Sequence, residues 1–211
     1  MNGKKIPEGT ISRLFIYLRE VAELSRLGIR TVSSAELGER ANLSDAQVRK
    51  DLGYFGQFGV SGSGYDTAEL KKALEKILGK DRTWNVAVIG AGQLGSALIS
   101  YTGFRDHGLE VVAVFDTDPR KIGKNLGGII VQPLGDLADA AESQRIAIGI
   151  IAVPAGSAQE VAGKMVDAGI GCILNFAPVG LNVPDKVKVR NVDLSHELET
   201  LSYFLVDPGN K

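Results

Sequence analysis

Residues 85–95 read Asn-Val-Ala-Val-Ile-Gly-Ala-Gly-Gln-Leu-Gly, and the fold is decided there. A short apolar strand, Asn85–Ile89, runs into the loop Gly90-Ala91-Gly92-Gln93-Leu94-Gly95 and then into a helical pattern. A glycine triplet alone is a weak signal, but between a strand and a helix it has a mechanism. Gly90 permits the tight turn, Gly92 lets the backbone approach a pyrophosphate, and Gly95 allows close helix–strand packing. The helix N-terminus adds free amides and a favourable dipole for the anion.

The next strand, Val111-Val112-Ala113-Val114-Phe115, ends at Asp116. A carboxylate there accepts from ribose hydroxyls and repels a 2′-phosphate, which favours NAD over NADP. Arg120 and Lys121 are the counterweight, since both suit a phosphate. Further along, strands are expected at Glu110–Phe115, Ile129–Val131, Ile146–Val153 and Cys172–Phe176, with a weak one near Val187–Val192. They alternate with helices at Leu94–Phe104, Leu134–Ala141 and Ser157–Ala168, and a last helix covers about Ser195–Val206. Alternation of this kind implies an α/β fold with a parallel sheet and helices on both faces. Ligands bind such sheets at the carboxyl edge, where Val153-Pro154 and Asn175-Phe176-Ala177-Pro178 lie. Tyr101, on the first helix of this half, suits either the core or the ligand.

Upstream of residue 80 the character changes. The 211-residue chain has a net charge of −1, but residues 1–80 carry +3 and the rest −4. This weak asymmetry suits a phosphate backbone at the N-terminal end. Ile11, Leu14, Phe15, Leu18, Val21 and Ala22 recur at helical spacing after Pro7. A short helix near Ser34–Arg40 places Leu37 inward, and Asn42-Leu43 makes a tight turn. Ser44-Asp45-Ala46-Gln47 then reads as a capping box. The capped helix keeps Val48 and Leu52 inside and leaves Gln47, Arg49, Lys50 and Tyr54 outside. Gln and Arg read adenine and guanine edges bidentately, and Lys50 suits phosphate or guanine. Asp51 would be repelled by phosphate and is expected to hold a neighbouring basic residue. Phe55–Tyr65 is rich in glycine and reads as a hairpin with a flexible tip. A helix over Thr67–Leu78 follows. Helix, short helix, turn, capped helix and hairpin is the order of a winged helix-turn-helix. Ser44, Ser61 and Ser63 complete the candidate DNA contacts. The expected domains are 1–80, 81–193, and a helix and tail over 194–211.

A catalytic constellation is not expected. His107 and His196 pair with no carboxylate in a recognisable motif, and no cluster has metal-ligand spacing. Cys172, the only cysteine, is expected in the core. One cysteine allows no intrachain disulfide, and the chain shows neither a signal peptide nor an apolar run of membrane length. A soluble, cytoplasmic protein is expected, without membrane or metal partners.

Several segments together carry a specific likeness. They are Ile11-Ser12-Arg13-Leu14 with Tyr17-Leu18-Arg19, Gln47-Val48-Arg49-Lys50-Asp51-Leu52 with Tyr54-Phe55-Gly56, and Gly62-x-Gly64-Tyr65. They continue with the glycine loop, Phe115-Asp116-x-Asp118-Pro119, Val153-Pro154-Ala155, Leu174-Asn175-Phe176-Ala177-Pro178 and Leu201-Ser202-Tyr203-Phe204. From Pro7 to about Asp207 the chain resembles the Rex family of redox-sensing transcriptional repressors. The resemblance implies a homodimer on palindromic operator DNA, NAD(H) as the sensed ligand, release of DNA by NADH, and a last helix swapped between subunits. It places Tyr101 near the nicotinamide, Arg49 and Lys50 on the recognition helix, and Arg19 and Asp193 in a state-dependent ion pair. It also implies basic residues in the wing, where this chain has Val60-Ser61; a smaller salt dependence of DNA binding is therefore expected. The main alternative is a small NAD-dependent reductase dimerised by its N-terminal helices. A third is a CoA-binding module, since similar sheets hold CoA, although Asp116 argues against it.

Overall fold

The computed structural model describes residues 6–59 and 63–206, so the wing tip Val60, Ser61 and Gly62, including the candidate DNA contact Ser61, lies outside the described residues. The chain divides into two compact units between Arg82 and Thr83.

The first unit opens with α1 (Glu8–Arg26), which starts after Pro7, a residue that fixes the backbone entering the helix. Its buried stripe is Thr10, Leu14, Tyr17, Leu18, Val21 and Leu24. The expected apolar face is corrected in part, because Ile11 and Phe15 are exposed. The helix is rotated so that Thr10 and Tyr17 turn inward, for a reason that lies in α3. Next come β1 (Thr31–Val32), α2 (Ser34–Ala41) and α3 (Asp45–Gly53). Asn42 makes the turn between the two helices in the left-handed conformation, with φ 59°, which asparagine tolerates better than most residues. The reciprocal capping box forms at α2, between Ser33 and Glu36. At α3 only half of the expected box exists. Ser44 accepts from the Gln47 amide at 3.2 Å, but the Gln47 side chain turns the other way.

The tip of the expected 55–65 hairpin lies outside the described residues, but its two arms come together, since a Cβ on Gly59 would overlap the Gly64 carbonyl. β2 (Tyr65–Asp66) pairs antiparallel with β1, not with residues 55–59. The pairing of β2 with β1, which lies before α2, was not expected. α4 (Thr67–Ile77) closes the unit. Leu14, Tyr17, Leu37, Val48, Leu52 and Leu74 make its core. Removing a leucine from such a core costs about 2–5 kcal/mol.

The second unit contains β3 (Trp84–Ile89), α5 (Gln93–Ser100), α6 (Gly103–Asp106), β4 (Leu109–Asp116), β5 (Asn125–Leu126) and β6 (Ile129–Pro133). A 3₁₀ turn at Leu134–Asp136 leads into α7 (Leu137–Ser143), followed by β7 (Ile146–Ile151), α8 (Ala155–Asp167), β8 (Cys172–Asn175), β9 (Lys188–Asn191) and α9 (Leu194–Val206). The sheet order is β5-β6-β4-β3-β7-β8-β9. All pairings are parallel except β5 with β6. Six parallel strands in this order form a doubly wound Rossmann-type sheet. The chain leaves β3 for β4 on one side and returns to β7 on the other, which opens a crevice at their carboxyl ends. Phe115, Ile89, Ile151, Met165 and Ile170 fill one face of the sheet.

Two expectations fail here. The helix expected over Leu94–Phe104 breaks at Tyr101-Thr102 into α5 and α6. Tyr101 is extended at ψ 105°, and its ring meets Phe104 edge-on at 5.1 Å. Cys172 is exposed: it begins β8 at the sheet's rim, and it is Ile173 that points into the core.

Candidate nucleotide cleft and DNA-reading helix

The glycine loop lies at the crevice. Gly90 has φ +107°, and a side chain there would overlap the Ala152 carbonyl that follows β7. A Cβ on Gly95 would overlap the Gly90 carbonyl. Both contacts put backbone against backbone, so the loop lies flat across the ends of β3 and β7. No side chain caps α5, and its first turn faces the crevice with free amides, which suits a phosphate group. Gly90, Gly92, Asp116, Val153, Pro154 and Ser157 are among the residues around a cleft of about 600 Å³.

Asp116 is 7% exposed. Its Oδ2 accepts from the Ala91 amide at 2.8 Å and from Lys121 Nζ at 2.9 Å. Its Oδ1 accepts from the Asp118 amide at 2.8 Å. Burial alone would raise its pKa, but these donors hold it below the usual carboxylate value. The acid thus ties the glycine loop to the turn after β4. Arg120 is paired with Asp118 at 2.8 Å, which holds the Asp118 carboxyl at about 2. Arg120 and Lys121, read from sequence as candidates for a phosphate, each have a carboxylate of their own. Lys121 as the partner of Asp116 was not anticipated, nor were Ser157 and Glu160 on the cleft wall; nothing in the linear pattern points α8 at the cleft.

Of the remaining candidates in this unit, Gln93 and Leu94 are exposed on the first turn of α5. Val153 and Pro154 line the cleft. Tyr101 is 59% exposed and borders a separate hollow of about 300 Å³ with Ile99 and Gly127. Phe176 is half-buried against Val86, Val88 and Ile150. Asp193 Oδ1 accepts from the Ser195 and His196 amides and so caps α9. In the first unit, Arg19 pairs with Glu20 at 3.2 Å.

On α3, Arg49 and Lys50 are exposed and Tyr54 is half-buried at the C-terminal end. Arg49 donates to Asp45 at 2.7 Å and to Ser34 Oγ at 2.9 Å. Ser63 is exposed. Asp51 is fully buried. It holds a basic residue, as expected, but that residue lies on α1. Arg13 donates through Nε at 2.6 Å and NH2 at 2.8 Å, Tyr17 OH donates at 2.9 Å, and Thr10 Oγ1 at 3.0 Å. Gln47 Nε2 completes the set at 2.9 Å. Thr10, Arg13 and Tyr17 share one stripe of α1 because positions three and four apart share a helix face. Among the described residues, no group of three or more His, Cys, Asp or Glu side chains is placed to hold a metal. No described helix is long and apolar enough to cross a membrane.

Two family profiles match the chain. One, described as "Putative DNA-binding protein N-terminus", covers residues 5–53; the other, described as "CoA binding domain", covers residues 81–179. With the fold, they define a class: a DNA-binding unit joined to a Rossmann-type nucleotide unit. The redox-sensing transcriptional repressor Rex of Carboxydothermus hydrogenoformans is 53% identical over 96% of this chain and 98% of its own length. That of Desulforamulus reducens is 50% identical over 97% and 98%. The crystal structure of RSP in complex with β-NAD⁺ and operator DNA superposes with a TM-score of 0.90 at 40% identity, covering 97% of this chain and 94% of that one. RSP in complex with β-NADH gives 0.80 at 38% identity, covering 97% and 96%. The chain belongs to the Rex family of redox-sensing transcriptional repressors.

Proposed function

We propose that this chain is a homodimeric repressor that holds palindromic operator DNA through α3 and releases it when NADH occupies the cleft. The observation that carries the reading is the coexistence, in one chain, of an acid-tied glycine cleft and a helix that exposes Arg49 and Lys50, with Gln47 half-buried beside Asp51. Relatives similar over nearly the whole length are repressors, and the structural neighbour RSP has been solved with NAD⁺ and operator DNA and with NADH. The reductase alternative has no comparable support. The CoA-domain profile is met by the same sheet, and Asp116 at the end of β4 favours a free ribose over a phosphorylated one.

In this reading Gly90, Ala91, Gly92, Gln93, Leu94 and Gly95 hold the pyrophosphate, and Asp116 fixes the loop and faces the ribose. Val153 and Pro154 make apolar surroundings for the nicotinamide; Tyr101 and Phe176, assigned to it by the family resemblance, lie outside the lining of the cleft in this chain. NADH and NAD⁺ differ by a hydride and a ring charge, and desolvating the charged ring penalises NAD⁺. A ligand shifts a two-state equilibrium only through such a difference. On DNA, Arg49, Lys50, Gln47 and Tyr54 contact the major groove, with Ser44, Ser61 and Ser63 at phosphates. Arg19 and Asp193 form their ion pair in one of the two states, and α9 is exchanged between subunits. The boundaries 1–80, 81–193 and 194–211 follow these roles. The protein carries out no catalysis and acts in the cytoplasm.

The test is fluorescence anisotropy of a labelled operator duplex with the full-length protein at two salt concentrations, titrated separately with NADH and NAD⁺. Release by NADH at concentrations where NAD⁺ leaves the complex intact is the expected result. Equal release by both would sink the redox-sensing reading.

A further inference from the structure

The buried carboxylate of Asp51 settles which way the side chain of Gln47 faces. A glutamine amide has a donating and an accepting end, and on a free surface it can turn over to present either one. Here one of the two N–H bonds of the donating end is committed to Asp51. Asp51 receives five hydrogen bonds, from Thr10 Oγ1, Arg13 Nε, Arg13 NH2, Tyr17 OH and Gln47 Nε2. An ionised carboxylate can only accept, so a Gln47 carbonyl turned toward it would set lone pairs against lone pairs in a buried site. The Arg13 guanidinium, 2.6 Å away, keeps Asp51 ionised. The NH₂ group of Gln47 therefore faces inward, and the amide cannot turn over without leaving Asp51 one donor short.

We infer that Gln47 presents a fixed hydrogen-bond acceptor, Oε1, from the reading helix, and that it selects a base with an exocyclic amino group in the major groove, adenine or cytosine. A guanine or thymine carbonyl that meets Oε1 sets acceptor against acceptor and is disfavoured there. Gln47 is the specificity-determining residue, and Asp51, with Thr10, Arg13 and Tyr17 behind it, is its positioning group. The inference rests on the reading that α3 enters the major groove.

The experiment starts by recovering an operator from a pool of random-sequence duplexes with the full-length protein. Each adenine of the half-site is then replaced in turn by purine lacking the 6-amino group, and each cytosine by the pyrimidinone lacking the 4-amino group. Binding is measured by anisotropy for the wild type and for Gln47→Leu. One position per half-site is expected at which loss of the amine weakens wild-type binding about tenfold, while Gln47→Leu is indifferent to it. If every position responds alike in both proteins, the inference is overturned. A second variant, Asp51→Asn, offers Gln47 a donor and frees its amide to turn over. Its preference at that position should move toward guanine or thymine, or disappear; a variant that stays folded by its melting curve yet keeps the full amine preference also overturns the inference. Should Asp51→Asn not fold, the base-analogue series on the wild type and Gln47→Leu decides alone. Failure to recover any operator would instead defeat the DNA-reading assignment itself.

Discussion

At the scale of single residues, two buried carboxylates organise the two units. Asp51 takes donors from two helices, and Asp116 takes them from two loops. Removing one member of a buried ion pair leaves the other uncompensated. Asp51→Ala should therefore destabilise the first unit by about 3 kcal/mol, at the low end for such pairs because Arg13 keeps some solvent contact. Urea unfolding of the variant against the wild type measures it. Both carboxyl groups have folded-state pKa values below the ordinary 3.8. For Asp51 burial acts upward, and the bonds from Arg13, Tyr17, Thr10 and Gln47 outweigh it. A depressed folded pKa means stability that is fully present above 3.8 and is lost as pH falls through the folded value. The stability gap between wild type and Asp51→Asn should accordingly be widest near neutrality and shrink below pH 3.8. A gap constant from pH 7 to pH 3 would show that Asp51 titrates normally.

At the scale of elements, most of the fold was legible because apolar periodicity and glycine placement are local signals. Strands β3, β4, β7 and β8 and helices α1, α4 and α8 lie within a few residues of their expected spans, and the glycine loop sits where the strand–helix context put it. What was not legible depended on distant partners. β1 is two residues long and exists only because β2 pairs with it. The break between α5 and α6 has one local mark, Gly103, where a Cβ would collide with the Tyr101 ring, but a lone glycine within a helical pattern does not by itself announce a break. The inward stripe of α1 includes Thr10 and Tyr17 because Asp51 lies opposite, and no periodicity of α1 alone reveals that. The site followed the same division. Glycines and Asp116 are visible as a motif, whereas the Lys121 partnership and the inward turn of Gln47 depend on how the chain folds around them. Gly95 offers the sharpest test at this scale. Because any Cβ there meets the Gly90 carbonyl, Gly95→Ala should push α5 off β3, lower stability by about 1–3 kcal/mol, and weaken NADH binding at least tenfold. Thermal melting and an NADH fluorescence titration check both effects.

At the scale of the whole molecule, α9 is the element that a single chain leaves unexplained. It is 13 residues long and has no buried residue. Isolated helices of about that length are marginal in water, so its fold calls for a surface to pack on. Leu194, Leu198, Leu201 and Leu205 are all exposed, and their spacing of four, three and four places them on one seam. In the proposed swapped-helix dimer, the partner subunit would cover that seam. Leu201→Glu should convert the protein to monomer at micromolar concentration by analytical ultracentrifugation and abolish tight binding to a two-site operator. A stable dimer in the variant would remove α9 from the interface.

The Asp51 cluster bears on how such a repressor can change over generations. On the proposed reading, the residue that reads a base and the residues that keep the unit folded share one carboxylate. A lineage could exchange Arg49 or Lys50 freely and drift in operator preference one contact at a time. Gln47 has no such freedom, since a new residue there must satisfy both a base and a buried acid on α3. One letter of the operator is thereby inherited with the architecture, and should stay fixed across descendants whose other letters diverge.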